Sequence, residues 1–395
     1  MSEGDGSGRR LAAYLNPGAL ASGSGSGGLA VAGVTVLAVG LALALSSVLV
    51  AITGGSPVGA VKALYQGSLA DSSAWSSTLL YTAPLLLVAI GACVCVRAGV
   101  FNLGQEGQVL IGALAGAWIA LRLALPGPVL LLTVLVGAAV AGGAWAGISS
   151  LMHRVRGVNI VVSTLLMTFL AQQLIAYAVN TPWLLQETRR GEATVSPQSN
   201  KLPDGALLGS FGEYPGLQIN LGLLIALVAT VVIAVLIARS RWGFKLTMLG
   251  LNPKAAKHAG VRVAALSGTA LAVSGAFAGL AGAVLLTSPV GTNRLQPGIS
   301  NNIGWDGLLV ALVARNRPLM AVPVALLFGV LRSGGGFLAS TGVPHFLVDV
   351  VKSLLVLAFV IPPVLTTLLR RRRDDRRADR EPGVPAPKAK EAVAS

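Results

Sequence analysis

Polar side chains that could hydrogen-bond a small solute open one long apolar run of this chain. Residues 97–118 read RAGVFNLGQEGQVLIGALAGAW, and Asn102, Gln105 and Glu106 stand where the run should enter a membrane. A carboxylate at the centre of a membrane-spanning helix costs about 2.5–3.5 kcal/mol, so these groups must turn away from lipid. They either line a route for a polar solute or join helices by hydrogen bonds, and for Glu106 both interpretations stay open.

A second segment, in the C-terminal third, repeats the pattern. Residues 104–107 and 304–307 both read Gly-x-acid-Gly, and an apolar helix is predicted after each. Asn302 and Asp306 are the candidate polar residues of the second copy. Glycine-interrupted segments at corresponding places in two halves of a chain indicate the central site of a transporter. The predicted topology starts one copy inside the cell and the other outside, which leads to the hypothesis of an inverted repeat.

A polar stripe follows the first segment, in residues 157–173. It consists of Asn159, Ser163, Thr164, Thr168 and Gln172, at near-helical spacing. Such a stripe either joins helices by hydrogen bonds or lines a pathway. We favour interhelical bonding for Ser163 and Thr164, and the pathway for Asn159 and Gln172.

Two aromatic residues, Phe101 and Trp305, accompany these segments and could stack on a base or a sugar ring. The residues predicted to line the route are Phe101, Asn102, Gln105, Glu106, Asn159, Gln172, Asn302, Trp305 and Asp306. No metal site is predicted, because the histidines are scattered and Cys93 and Cys95 lie in an apolar run without other ligands nearby.

The composition places these segments in a membrane. Of the 395 residues, 54% are hydrophobic and only 11% are charged, whereas a soluble domain carries about 25% charged residues. Lipid-facing surface explains that shortage and a hydrophobic core does not, so the composition excludes an ordinary soluble enzyme. The formal net charge of +15 is explained by membrane topology, because Lys and Arg are concentrated in the segments predicted to be cytoplasmic. Nucleic-acid binding is not predicted, because no aromatic platform accompanies the basic residues.

Apolar runs of about 20 residues predict membrane-spanning helices. The candidate spans are 29–52, 76–96, 104–121, 128–150, 158–180, 217–238, 263–287, 303–314, 318–333 and 345–368. We therefore predict an all-α fold, a polytopic transmembrane helix bundle of about ten spans, with about eight as the lower limit. Lys and Arg are concentrated in the segments that are inside when both termini are cytoplasmic, which favours that orientation. The same topology places Arg332 outside.

The predicted transmembrane domain, 29–368, lies between two terminal segments. Residues 1–28 are rich in Gly and Ser and are predicted to be a disordered cytoplasmic N-terminus. Residues 369–395 form a basic, disordered cytoplasmic tail that could contact anionic lipid headgroups. The longest external loop, 181–216, is either a docking surface for an external partner or a plain connector.

The cytoplasmic loop 239–262 carries a local helix signal. Asn252 followed by Pro253 predicts an N-cap and a first helical position, and Gly260 predicts the stop. A short helix of small residues suits docking into a groove on a partner protein, although a solvated connector is the simpler alternative. The residues predicted to take part in docking are Gly250, Asn252, Pro253, Ala255, Ala256 and Gly260.

Several ordered motifs are similar to those of one family. RAGVFNLGQEGQVLIGA is similar to its FN-G-EGQ signature, and GVNIVVSTLLMTFLA, GLNPKAAKHAGV, GWDGLLVALVARNRPL and GVPHFLVDVVKSLLVLAFV are similar to its later motifs. Over roughly residues 60–365 the chain resembles the permease family of bacterial importers for nucleosides and simple sugars. That family works with basic membrane lipoprotein-type binding proteins and is related to the ribose and branched-chain amino-acid permeases. The chain departs from it after Asn159, where Ile160 replaces a common acidic residue.

The resemblance implies the membrane-spanning permease subunit of an ATP-driven (ABC) importer. The implied solute is a nucleoside, with simple sugars and branched-chain amino acids as alternatives. The chain would be no enzyme and would bind no cofactor, because a separate ABC ATPase docked on the 239–262 loop would use the ATP. The other implied partners are a second permease subunit in a heterodimer, a substrate-binding lipoprotein and the lipids of a bacterial cell membrane.

A secondary transporter driven by an ion gradient is the alternative mechanism. The sequence contains no G-x-x-x-x-G-K-[ST] phosphate loop, which suits both mechanisms. In a secondary transporter Glu106, Asp306 and the pair Asp349–Lys352 would relay charge. That pair, three positions apart on one predicted helical face, is explained more simply as mutually neutralising.

Overall fold

The computed structural model describes residues 37, 40–41, 44–52, 56–188, 197–214, 216–289, 291–340, 349–350, 353–354 and 357–358. After a helical segment at Ala44–Ile52, the helices are α1 (Pro57–Ser68), α2 (Ser72–Arg97), α3 (Gln105–Arg122), α4 (Gly127–Arg156), α5 (Ile160–Asn180), α6 (Leu221–Arg239), α7 (Arg241–Leu251), α8 (Pro253–His258), α9 (Val263–Thr287), α10 (Ile303–Val313) and α11 (Pro318–Ser340). A 3₁₀ turn, Asp204–Ala206, and the antiparallel strands β1 (Ser210–Tyr214) and β2 (Leu217–Asn220) lie between α5 and α6.

The described residues are mostly helical, as the all-α prediction has it, and a short β-hairpin corrects only the start of one predicted span. The apolar run 217–238 predicts a single helix, but its first four residues form β2, and α6 begins at Leu221. Asn220 makes the boundary, because its side chain accepts a hydrogen bond from the Gly222 backbone N–H (2.8 Å) and so caps α6. Hydropathy misses this boundary because the strand and the helix are both apolar.

Six described helices are long and apolar enough to cross a membrane. They are Ser72–Arg97, Gly127–Arg156, Ile160–Asn180, Leu221–Arg239, Val263–Thr287 and the Pro318–Leu338 part of α11. A seventh crossing arises if Ala44–Ile52 and α1, which meet at 109°, form one bent span. The helix α3 begins with a polar turn that lowers its hydropathy, and α10 has only 11 residues.

The described part of the chain is therefore a mostly helical membrane protein. The number of about ten spans and the cytoplasmic position of both termini stay predictions. Half of the apolar run 29–52 and most of the run 345–368 lie outside the described residues, and the terminal segments 1–28 and 369–395 lie wholly outside them.

The helix α11 is longer than predicted, and it includes an arginine that was predicted to lie outside the span. The apolar run ends near residue 333, but the helix continues from Pro318 to Ser340. Arg332 therefore lies inside this helix, and its side chain is only 11% exposed. Arg332 thus belongs to a helix and not to a connecting segment, and a buried partner, described below, compensates its charge. The side of the membrane nearer to it stays a prediction.

The centre of the bundle is built from two enclosed helices, α2 and α9. Leu85, Leu86 and Leu87 of α2 are completely buried. In α9, small residues let the helix backbones touch. A methyl group added at Gly279 would lie 2.2 Å from the Ala138 carbonyl oxygen of α4 and 3.0 Å from a second α4 backbone atom. Such small-residue contacts are typical of helices packed within a bilayer.

The outer surface of the bundle is apolar. Val140 of α4, Leu166 of α5 and Val228 of α6 are more than half exposed, at 64%, 60% and 54%. Exposed aliphatic side chains on the faces of long apolar helices are suited to contact with lipid. The polar groups described next lie on the opposite, inner side of the packed helices.

Replacing Gly279 with valine is expected to prevent correct packing of α9. The added Cβ would overlap main-chain atoms of α4, which cannot rotate away, so the cost should reach about 3 kcal/mol. The yield of monodisperse protein in detergent and its thermal midpoint measure this loss. Gly147→Val in α4 is the matched control, because a Cβ at Gly147 meets nothing within 4 Å. Equal loss in both variants would contradict the packing argument.

Candidate functional site

The FNLGQEGQ segment forms a turn that is closed by paired side-chain amides. Asn102 Nδ2 donates to Gln108 Oε1 (2.8 Å), and Gln108 Nε2 donates back to Asn102 Oδ1 (3.0 Å). The same Asn102 oxygen accepts the Gly104 backbone N–H (3.1 Å). Both amides are buried, and together they hold the chain at the start of α3, where the N-cap Gly104 supplies no side chain.

A serine of α9 joins this turn to the centre of the bundle. Ser274 Oγ accepts hydrogen bonds from Asn102 Nδ2 (3.0 Å) and Gln105 Nε2 (3.2 Å). Gln105 Nε2 also donates to the Val88 carbonyl of α2 (3.0 Å). In the described part of the chain the buried Gln105 Oε1 has no hydrogen-bond partner. This amide cluster, formed by Asn102, Gln105, Gln108 and Ser274, therefore retains a free acceptor.

The carboxylate of Glu106 joins the two Gly-x-acid-Gly segments. Its Oε1 accepts a hydrogen bond from the Ser300 hydroxyl, and its Oε2 accepts the Gly304 backbone N–H (2.7 Å). The Glu106 side chain is buried, so these donors replace water. The carboxylate also lies at the amino end of α10, where the helix dipole favours negative charge.

The backbones of the two segments are in direct contact at the same place. A Cβ at Gly304 would lie 2.3 Å from both the backbone N and the Cα of Glu106. Only glycine allows this approach. The two segments with matching patterns thus meet in space, and the inverted repeat that would relate them stays a hypothesis.

The second acidic residue, Asp306, is paired with Arg332. The distance from Arg332 Nη1 to Asp306 Oδ2 is 2.9 Å, and the Asp306 side chain is 5% exposed. Arg332 Nη2 donates to the carbonyls of Ser300 (3.1 Å) and Asn301 (2.6 Å). The guanidinium also lies 5.2 Å from the centre of the Tyr81 ring. The buried charges of α10 and α11 therefore compensate each other.

The structure brings together only part of the predicted route. Asn102, Gln105, Glu106 and Asp306 are buried around the meeting point of α3 and α10. Asn302 is exposed with a left-handed backbone (φ 69°), and Phe101 and Trp305 are half-buried beside the buried groups.

The predicted route residues of α5 take other positions. Asn159 is exposed and caps α5 by accepting the Val161 N–H (2.9 Å), and Gln172 is exposed on the same helix. Among the hydrogen bonds of the described residues, none joins either side chain to the buried groups. Thr164 also differs from its predicted interhelical role, because its hydroxyl bonds the Val161 carbonyl of its own helix (3.1 Å).

The 239–262 loop, predicted to be cytoplasmic, contains the predicted short helix, α8. Asn252 Oδ1 accepts the N–H groups of Lys254 (3.0 Å) and Ala255 (3.1 Å), and Pro253 is the first helical residue. Gly260 follows the end of the helix with φ +79°. The predicted N-cap, first position and stop are confirmed. The preceding helix α7 was missed, although Ser240 caps it as a serine N-cap should.

The predicted docking residues divide into two groups. Asn252, Pro253 and Ala255 are exposed, whereas Ala256 is buried and Gly250 is half-buried. A Cβ at Gly250 would lie 2.3 Å from the Arg97 carbonyl oxygen, so this glycine packs on the end of α2. Gly250 and Ala256 thus attach the loop to the bundle, and the other residues form the free surface.

The region between α5 and α6, which is predicted to be external, is fastened to the segment that follows α9. Glu187 forms an ion pair with Arg294, and Gln296 Nε2 donates to Gln198 Oε1 (2.9 Å). The backbone of Leu202 also donates to the carbonyl of Asn293 (2.9 Å). This external region therefore covers the chain that leads directly to Ser300 and the Glu106 site.

Comparison with known proteins identifies the family. Residues 74–360 match the permease component of branched-chain amino acid transport systems. The chain belongs to this permease family. The matched region includes both Gly-x-acid-Gly segments, the amide cluster and the 239–262 loop.

Relatives of this permease carry names of two solute classes. It is 32% identical to a glucose ABC transporter permease protein of Haloferax volcanii, over 89% of this chain and 92% of the relative. It is 30% identical to a guanosine ABC transporter permease protein of Bacillus subtilis, over 82% and 91%. A nucleoside ABC transporter permease protein of Lactococcus lactis is 26% identical over 82% and 89%. The chain is therefore an ABC transporter permease.

Proposed function

We propose that this permease imports nucleosides, with ATP hydrolysed by a separate ATPase subunit. The observation that supports this most directly is the joining of the two polar segments through Glu106, Ser300 and Gly304. It concentrates hydrogen-bonding groups inside a helix bundle whose outer surface is apolar. Buried polar groups in a membrane protein are typical of a solute route.

The chemistry of the site suits a neutral solute with hydroxyl groups. Gln105 Oε1 is a buried acceptor to which no described residue donates, and the Asp306 charge is compensated by Arg332. Ribose hydroxyls could donate to such an acceptor, and the half-buried rings of Phe101 and Trp305 could stack on a base. The names of the Bacillus and Lactococcus relatives support the same choice.

A simple sugar is the second candidate, supported by the name of the Haloferax relative. A sugar would use the same hydrogen-bonding groups without a base to stack. An ion-coupled mechanism is less well supported, because Asp306 already has a cationic partner. Lys352, the other half of the proposed relay pair, lies outside the described residues.

Transport would proceed by alternating access. An ATPase docked on Asn252, Pro253 and Ala255 would move the cytoplasmic loop. The contact between Gly250 and Arg97 would carry this movement to the end of α2 and to the amide cluster that follows. A second permease subunit would complete the membrane assembly, and an external substrate-binding lipoprotein would deliver the solute.

The solute is tested with the complete transporter in proteoliposomes: this chain, its second permease, its ATPase and its binding lipoprotein. We expect ATP-dependent accumulation of labelled guanosine that excess unlabelled glucose does not reduce. Accumulation of glucose alone would support the sugar instead. Uptake that persists without ATP and stops when the ion gradient is removed would reject the ATP-driven mechanism.

Replacing Gly250 with valine is expected to uncouple ATP hydrolysis from transport. The added side chain would push the loop away from the Arg97 carbonyl, so loop movement would reach α2 poorly. At equal amounts of folded protein in the membrane, the number of solutes transported per ATP hydrolysed should fall about tenfold. Gly147→Val, at an open position, should leave this ratio unchanged. If Gly250→Val leaves the number of solutes transported per ATP unchanged, the contact between Gly250 and Arg97 does not transmit the loop movement.

A further inference from the structure

Arg332 is a half-buried cation on a firmly held part of α11. At the next residue, the Ser333 hydroxyl donates to the Gly67 carbonyl of α1 (2.7 Å). A Cβ at Gly334 would lie 2.6 Å from the Leu64 carbonyl oxygen, so α11 touches the α1 backbone there. The Arg332 side chain therefore extends from a fixed position, and 11% of it is exposed.

Three contacts of Arg332 are directed at one short stretch of chain. Nη2 donates to the carbonyls of Ser300 (3.1 Å) and Asn301 (2.6 Å), and Nη1 donates to Asp306 (2.9 Å). The planar guanidinium can reach several acceptors at once, which a lysine ammonium on a single flexible stem cannot do with the same geometry. Arg332 thus holds the carbonyl groups as well as the carboxylate.

The stretch held by Arg332 has an unfavourable backbone. Asn301 and Asn302 are consecutive residues with positive φ, at 42° and 69°. Asparagine adopts this conformation more readily than most other residues, but two in succession are uncommon, so surrounding contacts help to hold them. The Arg332 bond to the Asn301 carbonyl is one such contact.

The same stretch binds the Glu106 carboxylate, because the Ser300 hydroxyl and the Gly304 N–H donate hydrogen bonds to it. We infer that Arg332 is a positioning residue of the solute route, which holds residues 300–304 in the shape that binds Glu106. This inference rests on the proposed function, in which Glu106 lies on that route. It assigns to Arg332 a role beyond neutralising Asp306.

A double substitution separates the two roles of Arg332. If it only neutralises Asp306, then removing both charges together should restore uptake. If it positions residues 300–304, the double variant Arg332→Gln with Asp306→Asn still lacks the guanidinium that bonds both carbonyls, and the shorter glutamine amide cannot reproduce its forked geometry. We expect Arg332→Gln to reduce uptake at saturating solute about tenfold to a hundredfold, and the double variant to stay within about twofold of it.

These variants are compared in the complete transporter, at equal amounts of folded protein in the membrane. Arg317→Gln, at an exposed position before the same helix, is the control and should transport normally. Recovery of the double variant to the rate of the unmodified transporter would overturn the inference.

Hydrogen exchange tests the inference without transport. In Arg332→Lys, which keeps the charge, amides of residues 300–306 should exchange about tenfold faster than in the unmodified permease, while α9 stays protected. Unchanged exchange in 300–306, or fast exchange throughout the bundle, would contradict a positioning role. Failure of the unmodified transporter to take up nucleosides or sugars would reject the proposed function alone and would leave this measurement valid.

Discussion

Replacement of Glu106 with glutamine is expected to lower ATP-dependent uptake about tenfold to a hundredfold, with the protein still folded in the membrane. The carboxylate accepts two hydrogen bonds, from the Ser300 hydroxyl and the Gly304 N–H. A glutamine side chain would keep one oxygen for the Gly304 N–H and would donate its NH₂ group to the Ser300 hydroxyl, so two charge-assisted hydrogen bonds become weaker neutral ones. The loss of about 1–3 kcal/mol falls where α3 and α10 meet.

Initial uptake rates at several solute concentrations measure this effect. Asp204→Asn is the control, because Asp204 is exposed in the external 3₁₀ turn and its change should alter uptake little. If Glu106→Gln transports at the rate of Asp204→Asn, Glu106 serves neither the route nor the joining of the two segments.

Replacement of Gly304 with valine is expected to abolish uptake and to lower the yield of folded permease. The new Cβ would lie 2.3 Å from the backbone N and Cα of Glu106, so α10 would have to move away from α3. That movement would also break the bond from the Gly304 N–H to the Glu106 carboxylate. The expected destabilisation is about 3 kcal/mol or more, since main-chain atoms cannot yield as a side chain does.

Thermal midpoint and detergent chromatography measure folding in this variant, and uptake measures function. Gly336→Val in α11 is the matched control, because a Cβ at Gly336 meets nothing within 4 Å. Normal folding and uptake in Gly304→Val would show that α10 tolerates separation from α3, contrary to the contact described.

Local features were predicted well because they depend on neighbouring residues. The N-cap at Asn252, the first helical position at Pro253 and the stop at Gly260 are each decided within one turn of chain. The start of α6 was misplaced for a related reason. Its apolar composition resembles that of β2, and the pairing of Leu217 with Tyr214 depends on a turn that hydropathy does not register.

The sequence correctly predicted that amides and acids form a buried polar site, but it identified only some of the residues that lie there. Amides and acids near the glycine-rich turns proved to be buried, whereas Asn159 and Gln172 are exposed on α5. A helical stripe shows which residues share a face but not what that face contacts. The capping bond of Asn159 to Val161 gives it a local role that the stripe does not reveal.

Composition and the length of the apolar runs were enough to determine that this chain is a membrane protein. Charges and unpaired backbone polar groups cost too much free energy in lipid, so a membrane-spanning chain has few charges and long apolar helices. The ordered motifs were enough to indicate the permease family. Only the tertiary structure decided which polar groups meet. Ser300 bonds Glu106 across 194 positions of chain, and Ser274 bonds Asn102 across 172. Such partners are chosen by the packing of α3, α9, α10 and α11 against one another, which no local pattern of residues specifies.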